Sequence, residues 1–267
     1  MIGAALAASP RPGFKTPTIG DFTWQCLTPN WKVFGFGLCI NREVLLILLA
    51  GGIVLVLFLL AFRSPEMVPT GLQNFMESVV DFVRNAIVLE VIGEQGLRFV
   101  PYLSTVLFFI FVGNVFGIIP GLQFPVNSRM AMPIFLALMS WVLFNYVGIK
   151  RHGWGGYTKM VLFPSGVPWL MYILVTPIEF VSTIIVRPIT LSVRLLANMI
   201  AGHLLLTIFF LGTAYLLQPS ISAVFAAASF ALGTALVAFE LFVAALQAYI
   251  FTILTAVYLA GAMSSEH

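Results

Sequence analysis

One run of the sequence, residues 221–262, is apolar from end to end, contains no proline and carries a single charged side chain, Glu240. As one helix it would be on the order of 60 Å long, about twice the hydrocarbon core of a bilayer. Either it breaks into two spans, or it crosses strongly tilted and held against a partner. No turn chemistry marks a break, and Gly233 is the one soft spot in its middle. Tilt is therefore the expected solution.

The rest of the chain agrees with a membrane setting. Of 267 residues, 60% are hydrophobic and 9% charged, against about 25% charged in a soluble domain. So few charges cannot cover a water-facing surface, and the mean hydropathy of +1.04 says the same. A soluble enzyme, a disordered chain and a disulfide-stapled secreted module are excluded. So is a nucleic-acid binder: 13 basic residues are scattered against 10 acidic ones, without a basic stripe. Cys26 and Cys39 form no CxxC pair, so neither a metal nor a cofactor is expected; a disulfide and two free thiols both stay open. Residues 1–20 lack the apolar core of a secretory signal and read as mature tail.

The fold expected is an all-α polytopic membrane protein: a tail over 1–42 and one membrane domain over 43–267. Spans fall at about 44–62, 99–119, 131–149, 167–216 and 221–262. Between the first two, Leu72, Phe75, Met76, Val79, Val83, Ala86 and Ile87 recur at helical spacing, opposite Gln73, Asn74, Glu77, Asp81, Arg84 and Asn85. That pattern, over about 66–92, predicts an interfacial amphipathic helix. Pro120, Gly121 and Pro125 close the second span, and Lys150-Arg151-His152 the third. Pro177 and Pro188 are expected to bend the long segment that contains them. Trp141, Trp154 and Trp169 read as interfacial anchors, His152 as a solvated loop residue, and Asn145 and Gln123 as water-access or cap residues. The loops at 63–98 and 150–166 hold three basic residues each, against one at 120–130. The positive-inside rule then puts those two loops and the C-terminus in the cytoplasm and the tail outside.

Five ionisable groups lie where lipid should be: Glu179, Arg187, Arg194, His203 and Glu240. Each costs about 2.5–3.5 kcal/mol if unpaired, and such groups mark ion pathways or structural pairs. Gln218-Pro219-Ser220 joins the two long segments, so they should run antiparallel. Facing positions then have residue numbers of nearly constant sum, which sets His203 beside Glu240 and Arg194 beside Gln247. Tyr258 returns to the phase of Glu240 and Gln247, giving the last helix a single polar line. Asn198 lies one turn from Arg194, and Ala197, Ala201 and Gly202 are small enough for a close partner. A guanidinium cannot relay protons but can hold a carboxylate ionised. A histidine–carboxylate pair can relay them. With Glu179 toward the opposite face, the order reads as two proton-access routes separated by a fixed positive charge. Only an amide stands opposite Arg194, so its counter-ion should come from another subunit.

The block Arg187-Pro188-Ile189-Thr190-Leu191-Ser192-Val193-Arg194-Leu195-Leu196-Ala197-Asn198-Met199-Ile200-Ala201-Gly202-His203 resembles the signature of subunit a of F-type ATP synthases. Leu246-Gln247-Ala248-Tyr249-Ile250-Phe251-Thr252, Thr255-Ala256-Val257-Tyr258-Leu259 and the Glu266–His267 end resemble its C-terminal helix. The resemblance implies a non-catalytic stator subunit that couples proton flow to rotation of a c-subunit ring and to ATP synthesis. It makes Arg194 the arginine facing the ring's carboxylate, with Gln247 and Asn198 beside it. It makes His203 and Glu240 an entry pair, Glu179 an exit-route glutamate and Asn114 an asparagine on the neighbouring span. It further implies peripheral-stalk b subunits as partners, membrane lipid as surroundings and a bacterial plasma membrane as location. The histidine pair suits protons better than sodium, which would want several clustered oxygen ligands.

Two rivals are weaker. A self-contained proton-coupled secondary transporter predicts a related second half and broken helices, and no internal repeat is visible. An intramembrane hydrolase using Ser192 or Ser182 with His203 as base predicts a nucleophile elbow, and no GxSxG motif occurs.

Overall fold

The computed structural model describes residues 31–33, 36–38, 42–63, 66–119, 130–163, 171–217 and 222–264. It is an all-helical membrane bundle preceded by one short antiparallel ribbon in the tail, β1 (Trp31–Val33) paired with β2 (Phe36–Leu38). That ribbon was not expected from the sequence. Pro120, Gly121, Gln123, Pro125, Trp169, Cys26, Cys39 and the 218–221 turn lie outside the described residues.

Five helical stretches are long and apolar enough to cross a membrane: Arg42–Phe62, Glu94–Val115, Ala131–Leu162, Tyr172–Leu216 and Ala223–Met263. Helix α1 (Arg42–Phe62) is the first. The amphipathic segment forms α2 (Gly71–Phe82), which runs on as a π-helical stretch, Val83–Leu89. Of its apolar stripe, Met76, Val83 and Ile87 are buried, whereas Phe75 stays 57% exposed. Gln73, on the polar side of the pattern, is buried too. Its amide accepts from the backbone N–H of Glu66 at 3.2 Å and donates to the Glu66 carbonyl at 3.2 Å and to Glu77 at 2.8 Å. The amide thus satisfies the backbone entering α2, which the binary pattern could not show.

A 3₁₀ turn (Glu94–Phe99) leads into α3 (Val100–Val115), with Pro101 in its first turn, where its missing N–H costs nothing. Helix α4 (Ala131–Leu162) corrects the expectation of a loop after residue 149. The chain kinks at Gly153 (φ 71, ψ 165), a conformation open essentially to glycine alone, and then resumes helix. The kink folds Tyr157 back onto Gly148, where a Cβ would overlap the tyrosine ring. Tyr157 donates to Asn145 Oδ1 at 3.0 Å. His152 is only half-exposed and its Nε2 is shielded, so it is not the solvated residue expected.

The fourth stretch is α5 (Tyr172–Val181), a π-helical turn (Ser182–Val186) and α6 (Arg187–Leu216). The irregular turn lies between Pro177 and Pro188, the two residues that each remove a backbone donor. Helix α7 (Ser222–Met263) is unbroken, as the absence of turn chemistry predicted.

Among the described residues, helices α6 and α7 form the most extensive pairing. Ser229 donates to the Phe209 carbonyl at 2.9 Å, Phe210 and Phe230 meet edge-on at 6.4 Å, and Gly233 lies against Phe209. These contacts are antiparallel and follow the constant-sum register. Deeper along the pair, α3 and α4 close the bundle through Leu103, Ile110, Phe144, Leu195, Phe251 and Leu259. The packing is one-sided. Only 11% of the most apolar stretch in each long segment is buried, against 44% for Glu94–Val115 and 39% for Ala131–Leu162.

Candidate functional site

The uncovered side of α6 carries Arg194. Its neighbours on that surface are Val193, Ala197 and Ala201, all exposed, with no second charge among them. Among the described residues Arg194 makes neither an ion pair nor a hydrogen bond. The helix forms here because its other stripe (Leu191, Leu195 and Met199) is buried against the bundle, leaving Arg194 out of phase with the core.

Eight residues further, about 12 Å along the axis, Gly202 lies against Glu240 of α7 so closely that a Cβ would overlap the carboxylate. Glu240 is half-buried, and its Oε1 is shielded from solvent without a hydrogen-bond partner. A cavity of about 300 Å³ opens beside it, bounded by Ile118, Asn198, Gly202, Leu206, Glu240 and Ala244. Asn198 therefore shares one space with Glu240 while standing a single turn from Arg194.

His203 takes the adjoining position on α6. Its ring donates to the backbone of Gly117, just past the end of α3. Asn114, fully buried, belongs to the same helix end, where its carbonyl accepts from the N–H of Gly117 at 3.0 Å. The close of α3 thus brings Asn114, His203 and, through Ile118, the Glu240 cavity together.

Gln247 is 5% exposed, and its Nε2 has no partner. It sits one turn before Phe251 on the core side of α7, and no hydrogen bond reaches Arg194 among the described residues. Glu179 is half-buried on α5, beyond the π-helical turn and apart from the other site residues. Tyr258 does not continue the line of Glu240 in isolation. Its ring packs on Phe144 at 5.6 Å, and the Arg187 guanidinium stands 5.1 Å from its centroid.

That contact belongs to a second polar group which sequence reasoning left unassembled. Trp141 donates to the Thr183 carbonyl at 3.1 Å, inside the π-helical turn, and Asn145 donates to the Trp141 carbonyl at 2.7 Å. Trp141, expected to be an interfacial anchor, is tied to irregular backbone, whose freed carbonyls need such partners in a membrane protein. The only sequence signal was the pair of prolines flanking the turn. Gly117, whose backbone accepts from His203, carried no signal at all.

The family profile described as ATP synthase A chain matches residues 44–260. A protein named ATP synthase subunit a from Frankia alni is 48% identical over 260 residues, covering 96% of this chain and 88% of the relative. One of the same name from Rhodococcus erythropolis is 42% identical, covering 95% and 92%. One from Streptomyces lividans is 39% identical, covering 99% and 98%.

Proposed function

We propose a two-route proton mechanism for this chain, which belongs to the ATP synthase A chain family and so is a multi-pass membrane subunit of a proton-translocating F-type ATP synthase. In this reading the membrane domain (43–267) faces the rotating c ring with the uncovered side of α6 and α7. The tail (1–42) lies outside, the C-terminus in the cytoplasm, and b-type stalk subunits hold the chain still.

A proton enters from the outer side past Asn114, His203 and Glu240 into the cavity that Asn198 shares. It neutralises a ring carboxylate, which then tolerates lipid. After nearly a full turn that carboxylate reaches the inner route near Glu179 and loses its proton. Arg194 stabilises the ionised form at the crossing and repels a proton that would pass directly. Gln247 offers an unmet amide donor to the proton route behind Arg194, and Tyr258 fixes the inner end of α7. The chain performs no bond chemistry itself.

The single observation that carries this reading is the placement of Arg194: exposed, without an ion pair or hydrogen bond among the described residues, and on an otherwise apolar surface that most of α6 leaves uncovered. A charge at membrane depth without an internal mate needs an external one. The experiment is ATP-driven proton pumping in inverted vesicles carrying Arg194→Ala. Coupled pumping should disappear, and undiminished pumping would contradict the scheme. A self-contained transporter would instead work without copurifying ring subunits.

A further inference from the structure

A cleft of about 670 Å³ opens between the 3₁₀ turn leading into α3 and the late part of α4, bounded by Gln95, Arg98, Phe99, Tyr146, Lys150 and Arg151. Nothing in the proton mechanism uses it. It carries three cations and no carboxylate. Each cation rests on a neutral partner. The Arg98 guanidinium lies 4.7 Å from the Phe99 ring centroid and donates to Met263 Sδ at 3.4 Å. Lys150 Nζ stands 5.9 Å from the Tyr146 ring, and Arg151 is hydrogen-bonded to Gln95. Among the described residues none of the three has an ion-pair partner.

The cleft is polar at one end and apolar at the other. Lys150 and Arg151 lie just before the Gly153 kink, beside Trp154, which is 71% exposed. An exposed tryptophan beside a basic turn marks the boundary between bilayer core and water. Leu143, Tyr146 and Val147 lie on the same helix, up to about 10 Å deeper, and Phe99 floors the cleft beside them. A free phosphate would use only the basic end. A molecule with an anionic head and a hydrocarbon tail fits both.

We propose that this cleft is a binding site for an anionic phospholipid. Its phosphate sits among Arg98, Lys150 and Arg151, and an acyl chain runs down Tyr146, Leu143 and Val147. Basic pockets between membrane helices recognise such headgroups by charge, and the aliphatic groove supplies the tail contact.

The test uses the complete purified ATP synthase in phosphatidylcholine vesicles. These are doped with phosphatidylglycerol or phosphatidylcholine bearing the same photoreactive acyl chain, and adducts are mapped by peptide mass spectrometry. Phosphatidylglycerol should label the peptide containing Leu143 and Tyr146 about tenfold more than phosphatidylcholine. Lys150→Gln and Arg151→Gln should each lower that labelling about fivefold at low salt. The headgroup comparison needs no variant, so it stands even if a substitution impairs assembly. Equal labelling by both headgroups overturns the proposal, as does labelling unchanged when Lys150→Gln and Arg151→Gln are combined. Two further results would do so: displacement by millimolar inorganic phosphate, which would make the site one for free anions, and no adduct at all, which would place a partner subunit there.

Discussion

The carboxylate of Glu240, on α7, occupies the volume that a side chain on Gly202 of α6 would fill. The absent methyl group of Gly202 leaves the room that the acid fills at membrane depth. Gly202→Ala should therefore displace Glu240 while leaving both helices intact, since alanine favours helix. ATP-driven proton pumping should fall about tenfold or more, because small displacements of a transfer group are expensive. The assembled complex should still be recovered. Pumping at the wild-type rate would show that the position of the carboxylate is unimportant.

Gln247 presents the opposite case, a buried amide whose Nε2 has no partner. Gln247→Leu removes that unmet donor at nearly constant volume, so subunit stability should stay within about 1 kcal/mol of wild type or rise. Proton pumping should fall nonetheless. Thermal dissociation of the complex and pumping, measured on one preparation, separate a packing role from a functional one. If pumping were unaffected, Gln247 would be packing alone.

The pairing of Arg187 with the Tyr258 ring ties the start of α6 to the end of α7. A double-mutant cycle with Arg187→Gln and Tyr258→Leu should give a coupling of about 0.5–2 kcal/mol in thermal dissociation of the complex. Additive effects would mean that the two residues act independently.

Gly153 lies in backbone territory that other residues avoid, at φ 71 and ψ 165. Gly153→Ala should destabilise the subunit by about 1–3 kcal/mol, releasing Tyr157 from Gly148. Gly148→Ala, which overlaps the Tyr157 ring, should weaken the same region. Intrinsic tryptophan fluorescence of Trp154, just past the kink, would report the change against a background lacking the other tryptophans.

Much of this arrangement was legible in the residues. The lengths of the apolar runs gave five spans, and the absence of turn residues in 222–263 gave one unbroken helix. The antiparallel register followed from the single short connection, and Phe209 against Ser229 and Gly202 against Glu240 obey it. What escaped notice depends on backbone detail. Gly153 reads as one glycine in a Gly-rich stretch, and only φ distinguishes the kink from a loop. Register set His203 level with Glu240, but the Gly117 backbone that His203 also meets lies on another helix end, which a sum of residue numbers cannot reveal. Gln73 looked like surface because its partners are the backbone groups of Glu66, which no side-chain pattern reveals.

The central claim is that Arg194 meets a carboxylate carried by the ring. The most direct measurement is oxidative cross-linking in membranes, with Cys26 and Cys39 replaced by serine. Cysteines at Val193 or Ala197, exposed beside Arg194, are paired with cysteines scanned along the ring subunit's outer helix. The account predicts disulfides concentrated within one turn of the ring carboxylate and absent from positions a full span away. Cross-links spread evenly along the ring helix, or none from either position in an assembled complex, would contradict it.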